Sequence, residues 1–467
     1  MSLPASDYLV IFGITGDLAK KMTFPSLYNL EKRGLLNTPI LGVAFPEWTL
    51  EQLGDYAHES IDTAQGSVDK SVFDALMARV SYVHGDFKDP ALYAQVKDAL
   101  KGAQTPTFYL EIPPGLFVDV AQQLSAASLL AGNARVVFEK PFGTSLNSAV
   151  KLNNELQAIM REEQIFRIDH YMGKQPVQDI TYARFTNTIL NNVWNGGDVA
   201  CIMITMAEKF GVTDRGSFYD AVGTMRDVVQ NHLLQVVALV GMEAPVQTLT
   251  HPRIDLFKTI PSVEPTTVIR GQYDGYLKVD GVAKDSTTET FVALELRMDG
   301  IRWGGVPVFI RAGKEMPVTA TEVVLRLKGQ RGMLLGKTRM GNEFEDIILR
   351  IGADPGVSID MQVKEPESDS TESVRLDVDF KSSLGYSPLP YETLLHDAMA
   401  GDTSLFPGQE TEVETWRIVQ PILDHPQPVT PYPVGTWGPD AADGMVADFG
   451  GWPEPTFPPL PAKPQGT

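Results

Sequence analysis

A single cysteine, Cys201, stands in the whole chain, so neither an intrachain disulfide nor a cysteine zinc cluster can form. Nothing here requires an oxidising compartment, and the cytoplasm is the expected one. Basic charge is scarce too. Only 39 Lys+Arg face 59 Asp+Glu, and the formal net charge of −20 repels nucleic-acid backbones and acidic lipid surfaces. No stretch reaches the ~18 continuous apolar residues of a membrane span, and the short apolar run from Tyr8 to Phe12 follows no basic stretch. No nucleic acid, membrane or targeting segment is therefore expected. The seven histidines lack the paired spacing with cysteine or acidic residues of a zinc site, so no metal is expected either.

What remains is a chain of 467 residues, 43% of them hydrophobic, enough for two or three domains with a sizeable core. The continuous apolar run YLVIFG, Tyr8–Gly13, suits a buried parallel strand, and a glycine-containing turn and a helix-like segment follow it. Further runs at Ile40–Ala44, Thr107–Ile112 and Arg135–Phe138 are spaced for crossover helices, so the first ~170 residues read as one doubly wound α/β unit. Beyond it, strand-like pieces at Cys201–Met206, Phe291–Arg297, Val323–Leu327 and Asp346–Ile351 come with fewer crossovers, which fits an α+β domain with a mostly antiparallel sheet. The expected division is thus 1–170 and 171–467. Twelve of the 33 prolines fall between Pro421 and Pro464, so an irregular tail is expected there, laid on the surface or across a partner subunit.

Gly13 and Gly16 in VIFGITGDLAKK sit at a strand-to-helix turn, where glycine permits the bend and lets a pyrophosphate approach a helix N-terminus. The spacing departs from G-x-G-x-x-G, so a plain helix start competes with a dinucleotide site. EKPFG, Glu139–Gly143, follows a strand at the sheet edge where such folds place ligands; Lys140 there either meets an anion or is solvated.

FRIDHYMGKQ, Phe166–Gln175, gathers an acid, a histidine, a tyrosine and a lysine at the expected domain junction. If extended, Asp169 and His170 point to opposite sides, one orienting a distant base while the other faces a substrate; a structural ion pair is the rival. From Met225 to Val240 apolar residues recur at helical spacing, with His232 on the same stripe as Val229, Leu233 and Val236. That histidine is either core or a base tuned by a carboxylate. Asp227 lies about 140° around an α-helix from it, which favours Asp169 as the orienting partner. Lys314, after a strand-like run in FIRAGKEM, is either a point charge for a phosphate or an exposed loop lysine.

Taken in order, GITGDLAKK, EKPFG, RIDHYMGK, RDVVQNH, RGQY at Arg270–Tyr273 and the RAGK turn resemble the glucose-6-phosphate dehydrogenase family, from about residue 7 to the TWGP stretch at Thr436–Pro439. The resemblance implies a Rossmann-like coenzyme domain, a larger α+β domain through which members form homodimers or homotetramers, and NADP or NAD as coenzyme. The implied reaction oxidises D-glucose 6-phosphate at C1 to 6-phosphoglucono-1,5-lactone, the first step of the pentose phosphate pathway. It casts His232 as the base and Asp169 as its orienting partner. His170, Tyr171 and Lys174 would bind the 6-phosphate, joined by Lys314, while Glu208 and Asp227 would hydrogen-bond the sugar hydroxyls. Coenzyme contacts would come from Gly13, Ile14, Thr15, Gly16, Asp17 and Leu18, from Pro113, and from Lys140 between coenzyme and sugar, with Glu47, which is this chain's own departure from the family pattern, expected at the ribose. Alternatives are a dehydrogenase of another hexose phosphate or of free glucose, and a non-catalytic nucleotide-sensing paralogue.

Two departures from the family pattern bear on this. Where members often read GVAR, the arginine meeting the 2′-phosphate of NADP, this chain has GVAF at Gly42–Phe45 with Glu47 close by. NAD use is therefore expected. Where many members carry a second lysine after the RAGK turn, this chain has Thr319.

Overall fold

In a computed structural model of the chain, which describes residues 4–246, 248–329, 333–334, 337–338, 344–367 and 371–455, the backbone forms two compact units. The first comprises the chain up to Gln175 together with Pro245–His251 and Pro388–Trp416; the second comprises Pro176–Ala244, Pro252–Ser387 and the chain from Arg417 onward. This differs from one cut after residue 170, because the chain returns to the first unit twice. Side-chain chemistry explains the second return. Glu392, in the helix Pro390–Ala400, accepts hydrogen bonds from Asn29 (2.7 Å) and Arg33 (3.2 Å), and the buried Arg135 guanidinium donates to the carbonyl of Ala398 at 2.7 Å.

Six parallel strands build the first sheet: β1 (Tyr8–Phe12), β2 (Ile40–Ala44), β3 (Val80–His84), β4 (Pro106–Leu110), β5 (Arg135–Phe138) and β6 (Ile165–Arg167). Their order is β3-β2-β1-β4-β5-β6, the doubly wound Rossmann arrangement, whose switch point falls between β1 and β4. β1, β2, β4 and β5 are buried almost throughout, as parallel strands covered by helices on both faces must be. Each such Val, Leu, Ile or Phe contributes about 1.5–3 kcal/mol of burial, which fixes the sheet on which the turns are mounted.

The second unit is built on nine strands: β7 (Val199–Ala207), β8 (Ile269–Tyr273), β9 (Phe291–Arg297), β10 (Pro307–Gly313), β11 (Ala320–Lys328), β14 (Phe344–Arg350), β15 (Gly356–Lys364), β16 (Thr371–Asp379) and β17 (Val429–Tyr432). The intervening β12 (Met333–Leu334) and β13 (Lys337–Thr338) form a separate two-stranded ribbon. The order is β16-β15-β14-β11-β7-β10-β9-β8-β17, antiparallel except where β10 meets β7 and β17 meets β8.

The proline-rich C-terminal stretch is not simply draped on the surface. β17 extends the sheet, and Val446, Phe449 and Trp452 pack with Cys201, Met203, Phe309, Val324 and Ile348 on the face of that sheet. The buried Arg311 guanidinium lies 4.4 Å from the Trp437 ring and 4.7 Å from the Trp452 ring. Those apolar side chains outweigh the prolines. The prolines beyond residue 455 lie outside the described residues.

Candidate active site

At the end of β1 the chain turns at Gly13, whose φ of +89° lies in the left-handed region that favours glycine. Space gives a second reason for glycine, since a Cβ there would stand 2.2 Å from the carbonyl oxygen of Glu111. The Gly16 amide closes the turn onto the Gly13 carbonyl at 2.8 Å, and the helix begins at Asp17. A glycine turn leading into a helix start, over the switch point of a parallel sheet, fits a dinucleotide pyrophosphate. Ile14 is fully buried and packs where Gly42 has no side chain, so its side chain is core; Thr15, Gly16, Asp17 and Leu18 keep some exposure. Pro113 is exposed at the adjacent end of the sheet.

At the end of β2, Phe45 is 72% exposed and Glu47 stands 3.8 Å from the imidazole of His84. Both lysines at the start of the first helix are engaged. Lys20 pairs with Glu59 at 2.9 Å and lies over the Tyr56 ring, while Lys21 is 4.0 Å from Asp17. The bond before Pro141 in EKPFG is cis, and the buried Glu139 carboxylate accepts hydrogen bonds from Tyr109 at 2.6 Å and Tyr391 at 3.3 Å.

After β6 the RIDHYMGK segment is not extended. The Tyr171 amide donates to Asp169 Oδ1 at 2.9 Å and the Met172 amide to the Asp169 carbonyl at 3.0 Å, closing a turn through His170–Gly173. An aspartate that captures the amide two residues on favours such a turn over a strand. The turn brings three of the expected phosphate ligands together. The His170 and Tyr171 rings meet edge to face at 5.8 Å, and Lys174 Nζ lies 3.7 Å from the Tyr171 ring centroid. Asp169 is 5% exposed.

In the second unit, β7 and β10 run parallel side by side, with Ala207 level with Gly313, so the residues following them, Glu208 and Lys314, emerge next to each other. Their side chains form an ion pair of 2.5 Å, and Lys314 Nζ also faces the Tyr219 and Phe210 rings at 5.1 and 5.4 Å. Lys314 is thus buried against a carboxylate and two rings, which is neither a solvated loop lysine nor an uncommitted charge. Thr319 accepts a hydrogen bond from the Lys209 amide at 3.0 Å and so serves the backbone next to Glu208.

His232 lies in Met225–Leu233, which is a π-helix that continues as the α-helix Leu234–Gly241. The apolar stripe is where its spacing puts it: Met225, Val229, Leu233, Val236, Val237 and Val240 are buried, and His232 is 2% exposed. The i→i+5 bonding of a π-helix brings Asp227 and His232 nearer the same side than the separation an α-helix gives. Two residues before this segment the chain kinks at Gly223, whose φ is +69° and where a Cβ would stand 2.5 Å from Glu289 Oε1. Glu289 Oε1 accepts from the Met225 amide at 3.0 Å while Arg270 of the RGQY strand pairs with Oε2 at 2.7 Å. Gly223 and Glu289 are the residues that sequence reasoning missed, while Arg270 was seen in the RGQY motif without a role; the Gly-Thr dipeptide before RDVVQNH was the available signal.

Residues 10–179 match the family model described as glucose-6-phosphate dehydrogenase, NAD binding domain, and residues 181–453 the model of its C-terminal domain. The chain belongs to the glucose-6-phosphate dehydrogenase family. Among its relatives in this family, "Glucose-6-phosphate 1-dehydrogenase 1" of Mycobacterium tuberculosis is 47% identical over 97% of each chain. A crystal structure of glucose-6-phosphate 1-dehydrogenase from Mycobacterium avium, also 47% identical, superposes with a TM-score of 0.91 over 98% of this chain and 100% of that one. Another solved family structure, a glucose-6-phosphate dehydrogenase in complex with its substrate glucose-6-phosphate, is 30% identical with a TM-score of 0.89 and the same coverage. Membership accounts for the motif order, whereas the Glu208–Lys314 pair and the Glu289 anchor are read from this chain's own geometry. Among the described residues no helix is long and apolar enough to cross a membrane.

Proposed function

We propose that the chain oxidises D-glucose 6-phosphate at C1 to 6-phosphoglucono-1,5-lactone with a nicotinamide dinucleotide as hydride acceptor, His232 being the general base. The observation that carries this reading is a buried histidine on a π-helix, a segment type that concentrates at functional sites, inside RDVVQNH of a family member. His232 takes the proton of the C1 hydroxyl, and Asp169 holds the imidazole and stabilises its cation. When bound, the nicotinamide supplies the acceptor for the hydride that leaves C1. His170, Tyr171 and Lys174 grip the 6-phosphate, which supplies orientation rather than chemistry. Glu208 and Asp227 hydrogen-bond the sugar hydroxyls, and Lys314 holds the Glu208 carboxylate in place.

Gly13–Leu18, Pro113 and Lys140 serve the coenzyme. NAD is used at a rate comparable to or better than NADP: Phe45 replaces a guanidinium, Glu47 offers an acceptor to a ribose 2′-hydroxyl, and the pairing of Lys20 and Lys21 with acids leaves less charge for a 2′-phosphate. The chain works in the cytoplasm as a homodimer or homotetramer. The β15–β16 face supports assembly, because Met361, Val363, Val374, Leu376 and Val378 are all exposed on the edge strand β16 and its neighbour β15. Leu376→Glu should lower the mass measured by light scattering to that of one chain.

NADH and NADPH formation, measured side by side with glucose 6-phosphate, other hexose phosphates and free glucose, tests the reading. Glucose 6-phosphate should give the highest kcat/KM, and no turnover with any sugar would refute it.

A further inference from the structure

A half-buried acid whose carboxyl is shut away from water lies beneath the glycine turn, and the mechanism above does not use it. Glu111 follows β4 directly, and its amide donates to the Phe12 carbonyl at 2.9 Å, which sets it beside Gly13 at the switch point of the sheet. Its Oε1 accepts the hydroxyl of Thr23, on the helix that leaves the glycine turn, and its Oε2 is sealed from water. The Tyr56 hydroxyl, from a third element, donates to the Gly16 carbonyl at 3.1 Å. The carboxyl is therefore enclosed by the same pieces of chain that shape the turn.

The groups that bear on Glu111 are the Thr23 hydroxyl, the Glu139 carboxyl and the phenols of Tyr56, Tyr109 and Tyr391, while Lys140 acts on Glu139. None of the groups that bear on it directly is cationic. Burial pushes the Glu111 carboxyl up to about 8, Glu139 adds to the rise, and the Thr23 hydrogen bond opposes it. At neutral pH the group is a neutral acid under a turn shaped for a doubly charged pyrophosphate. Were it ionised, a carboxylate shielded from water would repel that pyrophosphate more strongly than any exposed charge.

We propose that Glu111 is a positioning residue for coenzyme binding whose protonated form alone is competent, so that its ionisation weakens nicotinamide dinucleotide affinity. This rests on the reading that the Gly13–Gly16 turn holds the coenzyme. Apparent affinity then scales with the protonated fraction, and by linkage a bound coenzyme draws the proton more tightly onto Glu111.

The experiment is the Kd of NAD for the full-length protein at pH 7, 8 and 9, by calorimetry. NAD has no phosphate monoester to titrate in this range. Wild type should weaken about tenfold between pH 7 and 9. Glu111→Gln, which keeps shape without charge, should stay within about twofold across the series. Thr23→Val, which removes the bond favouring the ionised form, should move the loss of affinity to higher pH, and it serves as the test if the glutamine variant fails to fold. A flat wild-type profile, a tenfold loss retained in Glu111→Gln, or an unshifted profile in Thr23→Val would overturn the proposal. Absence of NAD binding by wild type at every pH would instead strike at the coenzyme reading itself.

Discussion

Lys314 Nζ and Glu208 Oε2 meet at 2.5 Å, each side chain rising from the end of one of two neighbouring parallel strands. The ammonium that the family resemblance casts on the phosphate is held by the carboxylate that it casts on the sugar hydroxyls. Lys314→Ala should therefore loosen Glu208 and lower kcat/KM by about tenfold or more, the value of a hydrogen bond to a charged group at ~1.5–3 kcal/mol. The loss should be comparable for glucose 6-phosphate and free glucose. A loss confined to the phosphorylated sugar would put Lys314 on the phosphate.

Lys174 should behave differently. It lies over Tyr171 in a turn of residues suited to an anion, so Lys174→Ala should raise KM for glucose 6-phosphate strongly and change turnover of free glucose little. Steady-state kinetics on both sugars check this, and equal losses would remove Lys174 from the phosphate site.

Coenzyme choice turns on the end of β2, where Phe45 is exposed and Glu47 faces His84. Phe45→Arg adds a guanidinium able to clasp a 2′-phosphate and should shift the NADP/NAD ratio of kcat/KM toward NADP by roughly tenfold or more. A wild type that prefers NADP several hundredfold, unmoved by changes at Phe45 or Glu47, would place the ribose pocket elsewhere.

Some of this architecture was legible in the sequence for a plain physical reason. Strands covered on both faces must be largely apolar, and YLVIF, ILGVA and the VVF that follows Arg135 are. β3 (VSYVH) lies at the sheet edge and mixes polar with apolar residues, so no such run announces it. The stripe around His232 was legible as a helix but not as a π-helix, because α and π spacing place the same apolar residues inward over so short a stretch. The partner of Lys314 lies 106 residues away, and the return of Pro388–Trp416 to the first unit depends on the Glu392 hydrogen bonds. Contacts of such range leave no local pattern. The Asp169 turn was not singled out from the sequence, whose reading weighed only an extended arrangement and an ion pair, although an aspartate able to cap its own downstream amide was in view.

The central claim is that His232 abstracts the proton, and the kcat of His232→Asn with glucose 6-phosphate tests it most directly. Asparagine can hydrogen-bond but cannot take a proton near neutral pH. The account predicts a kcat lower by at least ~10²–10⁴, with substrate binding and Tm close to wild type. A variant that keeps its kcat but melts many degrees earlier would contradict it and make His232 a core residue.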